Sequence, residues 1–536
     1  MLDEYDYVVV GGGAAGCIVA QQIAERSESR VALIESGPPR TDARGLAPAW
    51  YPRLFGSKFD WNFQTAPIPG LAGRKLAWPR GKTLGGSAAI NALIYLQPPD
   101  EDFHRWGLDC PPQATNSHAD HYDATKNGVT ECDGARCAIT GLSLRPVEHI
   151  HPWCEQFLSA AESAGLQRSD QMQQLAPAQN GAAGTCGPYW LTQNMRGHRQ
   201  HVGQQVDSHA SGNRPPTNLH VLHGNTVDRL EISKGRVCGV ELKAGEAQRT
   251  IRARREVVLC AGTIGSPSIL LSSGIGPAAS LQAAGVTSNI ESPHVGQHLQ
   301  DHLVYPVIYE SDAAEGLPER FDRMQRESFR QGRPSGLASN IAEAGGVFHL
   351  GQGNDSVAFQ IHATPTHYLK YPRLATVNNH MSLGITQLRP RSEGTLSLAP
   401  RAIGIASNDV VIKPNYLSDA ADIDDFAAAI AWVRENLSPK LATTGWSEVL
   451  PGRRGDAIKT LRRSIAAYSM SIYHPTGTCR MGNAIDDSVV GSDFSVHGIR
   501  GLRIADASVF PSIPASNTMA PTFWLAHLCA QSILNL

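Results

Sequence analysis

The run Val10-Gly11-Gly12-Gly13-Ala14-Ala15-Gly16 constrains this chain more than any other. It is a G-x-G-x-x-G turn, and it falls between two stretches of different character. Residues 6–10 are β-branched and continuous, as a strand buried on both faces requires. Residues 14–26 carry helical spacing with small residues at the start, and residues 30–34 read as a second buried strand. The pattern predicts a βαβ unit that receives a dinucleotide. Gly11 permits the tight turn, Gly13 lets the backbone approach a pyrophosphate, and Gly16 lets the helix pack on the strand. At Ala14 and Ala15 the helix presents unpaired N–H groups and its positive end to the phosphates. Glu35, followed by Ser36, ends the second strand about twenty residues beyond the glycines, where a carboxylate accepts hydrogen bonds from a ribose and repels a 2′-phosphate. The motif by itself does not separate FAD from NAD.

With 536 residues the chain is long enough for two domains with sizeable cores. Its charged fraction is 18% and its formal net charge −2, with no basic block, which argues against nucleic acid or an anionic membrane as partner. No apolar run is long enough to span a bilayer, and the first strand follows the initial Met too closely for a signal peptide. The ten cysteines are scattered. Cys132 and Cys137, the closest pair, lack zinc-ligand partners at a usable spacing, so a reduced, cytoplasmic protein is expected.

Further along, residues 107–150 read as surface loops and 151–165 as a helix. Residues 311–345, polar and Gly-rich, read as a mobile segment. Strands are expected over 219–222, 237–242, 256–260 and 502–505, and an apolar helix over 520–534.

Four later segments specify the chemistry. They are Trp78-Pro-Arg-Gly-Lys-Thr-Leu-Gly-Gly-Ser-Ala-Ala-Ile-Asn91, Ala261-Gly-Thr-Ile-Gly-Ser-Pro-Ser-Ile-Leu-Leu-Ser-Ser-Gly-Ile-Gly-Pro277, Val295-Gly-Gln-His-Leu-Gln-Asp-His302, and a C-terminal set. That set runs from Tyr473-His-Pro-Thr-Gly-Thr-Cys-Arg-Met-Gly482 through Gly501-Leu-Arg-Ile-Ala-Asp-Ala-Ser508 to Ala515-Ser-Asn-Thr-Met-Ala-Pro-Thr522. With the glycine turn, these segments resemble the glucose–methanol–choline (GMC) oxidoreductase family from end to end and in order.

The resemblance implies an α/β fold (α+β overall): a Rossmann-like FAD-binding domain, discontinuous over 1–155, 200–300 and 460–536, and a substrate-binding domain over 156–199 and 301–459. The second domain is expected to be an antiparallel sheet flanked by helices. It implies FAD, and oxidation of a small-molecule alcohol, a primary one, to the aldehyde, with O2 or another acceptor reoxidising the flavin. Residue by residue, Arg80, Gly81, Gly85, Gly86, Ser87 and Asn91 match positions along the pyrophosphate and flavin. Trp78, Leu84 and Ala92 belong to the same stretch. Val227 matches the adenine-side strand, Ala261 and Gly262 the second strand-to-helix turn, and Asp506 and Ala507 the flavin-side strand end.

The chain also departs from the pattern. Ala88 stands where Ser or Thr is usual, Gln97-Pro98 replaces a common Arg-Gly, and Ile90 occupies the position of a histidine that some relatives bond to the flavin. FAD is therefore expected to be held non-covalently.

Removing hydride from an alcohol carbon is far easier once the hydroxyl proton has left. A histidine suits that task near neutral pH, and a second polar group must hold the oxygen. Among 20 histidines, His474 matches the family's base, and Asn517 matches its partner. Tyr473 is a candidate pocket wall. The helix after Pro521 points its positive end toward the cofactor near Asn517, Thr518 and Met519. Met519 replaces a common second Asn. His298, Asp301 and His302 read as a structural loop and no metal is expected. A flavin-containing lyase that cleaves cyanohydrins is the alternative on this scaffold. The particular alcohol, the acceptor and the oligomeric state stay open.

Overall fold

A computed structural model describes residues 3–39, 43–111, 135–147, 150–172, 183–207, 214–243, 249–312, 316–317, 321–333, 335–351, 356–370, 379–400 and 410–535. The first strand, Asp3–Val10, runs parallel to Val31–Glu35, with Ala14–Glu25 as the helix between them. Leu219–His223 extends the sheet beyond Val31–Glu35, again in parallel. On its other side the first strand pairs along its whole length with Arg249–Leu259. The far edge of that long strand is divided. Its start pairs antiparallel with Arg236–Leu242, which pairs in turn with Val227–Ser233, and its end pairs parallel with Leu502–Ile504. The central strands carry almost no exposed surface, which is why their sequence is continuously apolar rather than alternating.

The C-terminal helix, Met519–Leu534, packs on Ala14–Glu25, with His527 Nδ1 2.9 Å from Gln22 Oε1, and buries Phe523, Leu525, Ala526 and Cys529. The two ends of the chain thus build one layer.

A second, eight-stranded sheet has the order Ser447–Leu450, Leu303–Glu310, His380–Gln387, Val357–Thr364, Ala344–Leu350, Gly184–Pro188 and Leu166–Arg168, with Met470–Ser471 on Leu303–Glu310. Its pairings are antiparallel except the last, Leu166–Arg168 with Gly184–Pro188. Helices Pro152–Ser163 and Ala420–Asn436 cover it. The architecture is therefore α/β with a separate antiparallel sheet flanked by helices, as expected.

Two stretches differ from the sequence reading. Within 311–345, residues 323–330 form a helix capped by the Asp322 side chain, which accepts from the Gln325 amide at 2.7 Å. Phe329 is buried in a small core with Ala47, Ala49, Phe321 and Leu337. The helix is short and strongly polar overall, with one buried aromatic side chain, so its composition reads as loop although its spacing is helical. Within 107–150, Ala135–Arg136 and Ser143–Pro146 are short strands, the latter pairing with Trp190–Thr192. Most of that stretch, Cys132 included, lies outside the described residues. The described cysteines are all free thiols, no described helix is long and apolar enough to cross a membrane, and no group of potential metal ligands occurs among the described residues.

Candidate active site

The glycine turn has a division of labour that the backbone makes explicit. A Cβ on Gly16 would lie 1.9 Å from the Gly11 carbonyl oxygen, so that position exists to let the helix pack. Gly11 has φ +102°, and a Cβ there would meet the Cys260 carbonyl at 2.5 Å. At Gly13 the nearest protein atom would be 3.9 Å away. Gly13 faces a cavity of about 740 Å³, and it caps the following helix without any side-chain hydrogen bond. The first-turn N–H groups are left for an anion.

Glu35 also borders this cavity. Its two oxygens accept from the amides of Gly12 (2.9 Å) and Gly37 (2.7 Å), which ties the turn to the end of the second strand. Burial pushes its carboxyl above the ordinary range. Each oxygen keeps a lone pair for a hydroxyl of a ribose.

From Gly13 the cavity runs past Ala14, Ala15 and Ser36, then past Arg80, Gly81, Gly86, Ser87, Asn91 and Ala92. Val227, Ala261, Gly262, Asp506 and Ala507 border it as well, as do Tyr473, His474, Asn517, Thr518 and Met519. Four of the residues singled out by sequence stand one layer behind. Gly16 packs on Gly11, and Trp78 is fully buried. Leu84 touches the glycine turn, and Gly85 donates to the Gly12 carbonyl at 2.7 Å with φ +84°. These four shape the loops that the lining residues stand on.

Asp506 fastens the C-terminal strand to the second strand-to-helix turn. Its Oδ2 accepts from the Gly262 amide (2.9 Å) and the Ser266 hydroxyl (2.5 Å), and its Oδ1 accepts from the Ser508 amide (2.8 Å). Asn91 is held by the Leu93 amide and Arg199 on its Oδ1, and its amide reaches Met519 Sδ at 3.3 Å.

In the same cavity, His474 Nε2 and Asn517 Nδ2 are 3.3 Å apart. Asn517 is oriented from behind. The Tyr189 hydroxyl donates to the Ile361 carbonyl (2.9 Å) and so must accept from Gln360 Nε2 (3.0 Å). That amide also donates to Asn517 Oδ1 (3.1 Å), which turns Asn517 Nδ2 toward the histidine. The His474 backbone amide donates to Asp301 Oδ1 at 2.7 Å. Asp301 Oδ2 takes the hydroxyls of Tyr416 and Ser471. Burial lifts the Asp301 carboxyl to about 6, against these donors and the nearby Arg80. Arg80 itself donates to the Tyr473 carbonyl at 2.5 Å.

Tyr473 holds φ +69°, an uncommon value for a bulky residue, in the position that turns His474 into the cavity. Its ring meets Phe55 edge-on at 5.5 Å. Burial, followed by the proximity of His302, His362 and Arg80, holds His474 well below the ordinary histidine range.

Sequence reasoning missed His302, Gln360 and His362. His302 Nδ1 is 3.0 Å from His474 Nδ1, and His362 lines the cavity. The signal for His302 was present, since it closes the Val295–His302 segment, but nothing local says that this loop backs His474. Gln360 and His362 belong to a strand whose sequence shows no motif.

Models of the GMC oxidoreductase family match residues 5–304 and 390–526. The chain is 30% identical over 560 residues to alcohol dehydrogenase [acceptor] of Pseudomonas putida, covering 99% of this chain and 96% of that one. It is 32% identical over 551 residues to an oxygen-dependent choline dehydrogenase of Paraburkholderia phymatum, covering 99% and 92%. The solved structure of pyridoxine 4-oxidase from Mesorbium loti superposes with a TM-score of 0.76 at 25% identity, over 99% of each chain. These relatives are dehydrogenases and oxidases by name, and the cyanohydrin-lyase alternative gains no support from them.

Proposed function

Since this chain belongs to the GMC oxidoreductase family, we propose that it is an FAD-dependent enzyme that oxidises a small primary alcohol to the aldehyde. One observation carries the reading: a single cavity is lined both by the open cradle of Gly13 and by His474 with Asn517. The residues fit the cofactor. The uncapped helix end at Gly13 would hold the phosphates, and Glu35 would hold the ribose. Val227 is assigned to the adenine through its backbone, and Ile90, which lines the cavity, can form no bond to a flavin. The cofactor is therefore assigned as non-covalent. We assign this half to 1–155, 200–300 and 460–536 and the substrate half to 156–199 and 301–459, with the helix Pro152–Ser163, which covers the antiparallel sheet, crossing the first boundary.

When bound, FAD supplies the acceptor for the hydride that leaves the alcohol carbon. The remaining work belongs to the chain. His474, kept neutral by its surroundings, accepts the hydroxyl proton at Nε2. Asn517 Nδ2 donates to the same oxygen and fixes which way its carbon points. The start of the helix Met519–Leu534 directs its positive end to this part of the cavity, where it favours negative charge. Tyr473 and Phe55 wall the pocket with aromatic surface. The names of the curated relatives, alcohol and choline dehydrogenases, support a hydroxyl-bearing substrate. The test is an alcohol panel added to the yellow protein without oxygen. Bleaching of the flavin by at least one primary alcohol is expected, and a panel that bleaches none overturns the reading. Readmitting oxygen, or adding an artificial dye, then identifies the acceptor.

A further inference from the structure

His474 works as a base only if the nitrogen facing the cavity carries no proton. Imidazole has two neutral tautomers, and the one present is set by the hydrogen bond that the other nitrogen makes. Behind His474 the structure contains a chain of bonds in which each proton position is forced. The Leu388 carbonyl can only accept, and His302 Nε2 lies 3.1 Å from it. His302 Nε2 therefore carries a hydrogen. Neutral His302 then has a bare Nδ1, which lies 3.0 Å from His474 Nδ1. A bare nitrogen needs a donor, so His474 Nδ1 carries the hydrogen and His474 Nε2 is bare. That Nε2 faces Asn517 Nδ2, which can only donate.

We propose that His302 is a positioning residue that holds His474 in its base-competent tautomer by passing on the polarity of the Leu388 carbonyl. This rests on the alcohol-oxidation reading above for its kinetic consequence, but the tautomer itself is a property of the protein. His302 does not line the cavity and is fully buried, so it acts on substrate through His474 alone. The same bond steadies His474 after it has taken the hydroxyl proton, because His302 Nδ1 still accepts. His302 is itself held neutral, as the chain of bonds requires. Burial and the nearby Arg389 push it down to about 4. His362, which the structure places in the same group, is likewise pushed to about 4 by burial and by His302.

The experiment compares His302→Leu, which removes the acceptor, with His302→Asn, whose side-chain oxygen can replace Nδ1. Nitrogen-15 spectra of histidine-labelled holoprotein, with His474→Gln used to identify the resonances, read the tautomer directly. The parent should show a protonated Nδ1 and a bare Nε2 on His474. His302→Leu should shift His474 toward the form protonated on Nε2, and His302→Asn should restore the parent pattern. In anaerobic stopped-flow with the parent's best alcohol, His302→Leu should lower the limiting rate of flavin reduction at least about tenfold with little change in apparent substrate affinity, and His302→Asn should recover most of it. A His302→Leu protein with the parent tautomer and parent rate overturns the proposal. So does an equal loss in both variants, which marks a packing role. If no alcohol reduces the parent, the functional reading fails while the spectra still decide the tautomer.

Discussion

Asn517 Nδ2 stands 3.3 Å from His474 Nε2 because Gln360 holds the other end of the Asn517 amide, with 3.1 Å between Gln360 Nε2 and Asn517 Oδ1. Asn517 is thus oriented from the antiparallel sheet, although it belongs to the C-terminal stretch of the chain. Gln360→Leu should leave FAD content unchanged and slow flavin reduction about tenfold, since it frees Asn517 to rotate without touching the base. Anaerobic stopped-flow measures this, and an unchanged rate would show that Asn517 does not depend on Gln360.

His474→Ala should keep its FAD and slow reduction by at least about 10²-fold, the lower end of what a general base contributes. Asn517→Ala should cost less, because the base remains. A His474→Ala protein that reduces its flavin at the parent rate would remove His474 from the mechanism.

The pH dependence follows from burial. His474 titrates well below the ordinary histidine value, with burial as the largest cause, so its neutral form persists as pH falls through about 6.5. The reduction rate should be level from slightly alkaline pH down past that point and should fall only as pH drops through the depressed value. A kinetic limb at or above about 6.5 that disappears in His474→Ala would contradict this assignment.

The glycine turn separates cofactor binding from folding. Gly13→Val should fill the open cradle and yield protein depleted of FAD, with lower stability because bound cofactor no longer favours the folded state. Gly16→Ala should fail earlier, at folding, since its Cβ would lie 1.9 Å from a backbone oxygen. Flavin absorbance per protein and soluble yield distinguish the two outcomes. A Gly13→Val protein with full FAD would mean that the cradle lies elsewhere.

Acid or heat precipitation should release free FAD into the supernatant, because the position of a linkable histidine holds Ile90. Flavin that sediments with the protein would point to a covalent bond at another residue.

How much was legible in the sequence depended on whether the signal was local. The βαβ unit was readable because Gly11, Gly13 and Gly16 fall at a fixed spacing between two short elements, with Gly16 packed on Gly11 itself, and because residues 31–34 are apolar on both faces. Strands such as Leu303–Glu310 and Val357–Thr364 were not read. Leu303–Glu310 contains Pro306, which ordinarily argues against a strand interior, and both are almost continuously buried instead of alternating. The pair His474 and Asn517 came from resemblance to a family. Their supports, His302 and Gln360, are distant in the chain, and only the folded sheet brings them behind the pair.

The divided edge of Arg249–Leu259 has a consequence for how the protein is made. The parallel half of that edge stays bare until Leu502–Ile504 has left the ribosome, and the helix that covers Ala14–Glu25 follows later still. The nascent chain therefore displays the open turn at Gly13 well before His474 and Asn517 exist to stand in the same cavity. Until then the helix Ala14–Glu25 and the parallel half of that edge both lack the partners that cover them, and both need protection from other chains.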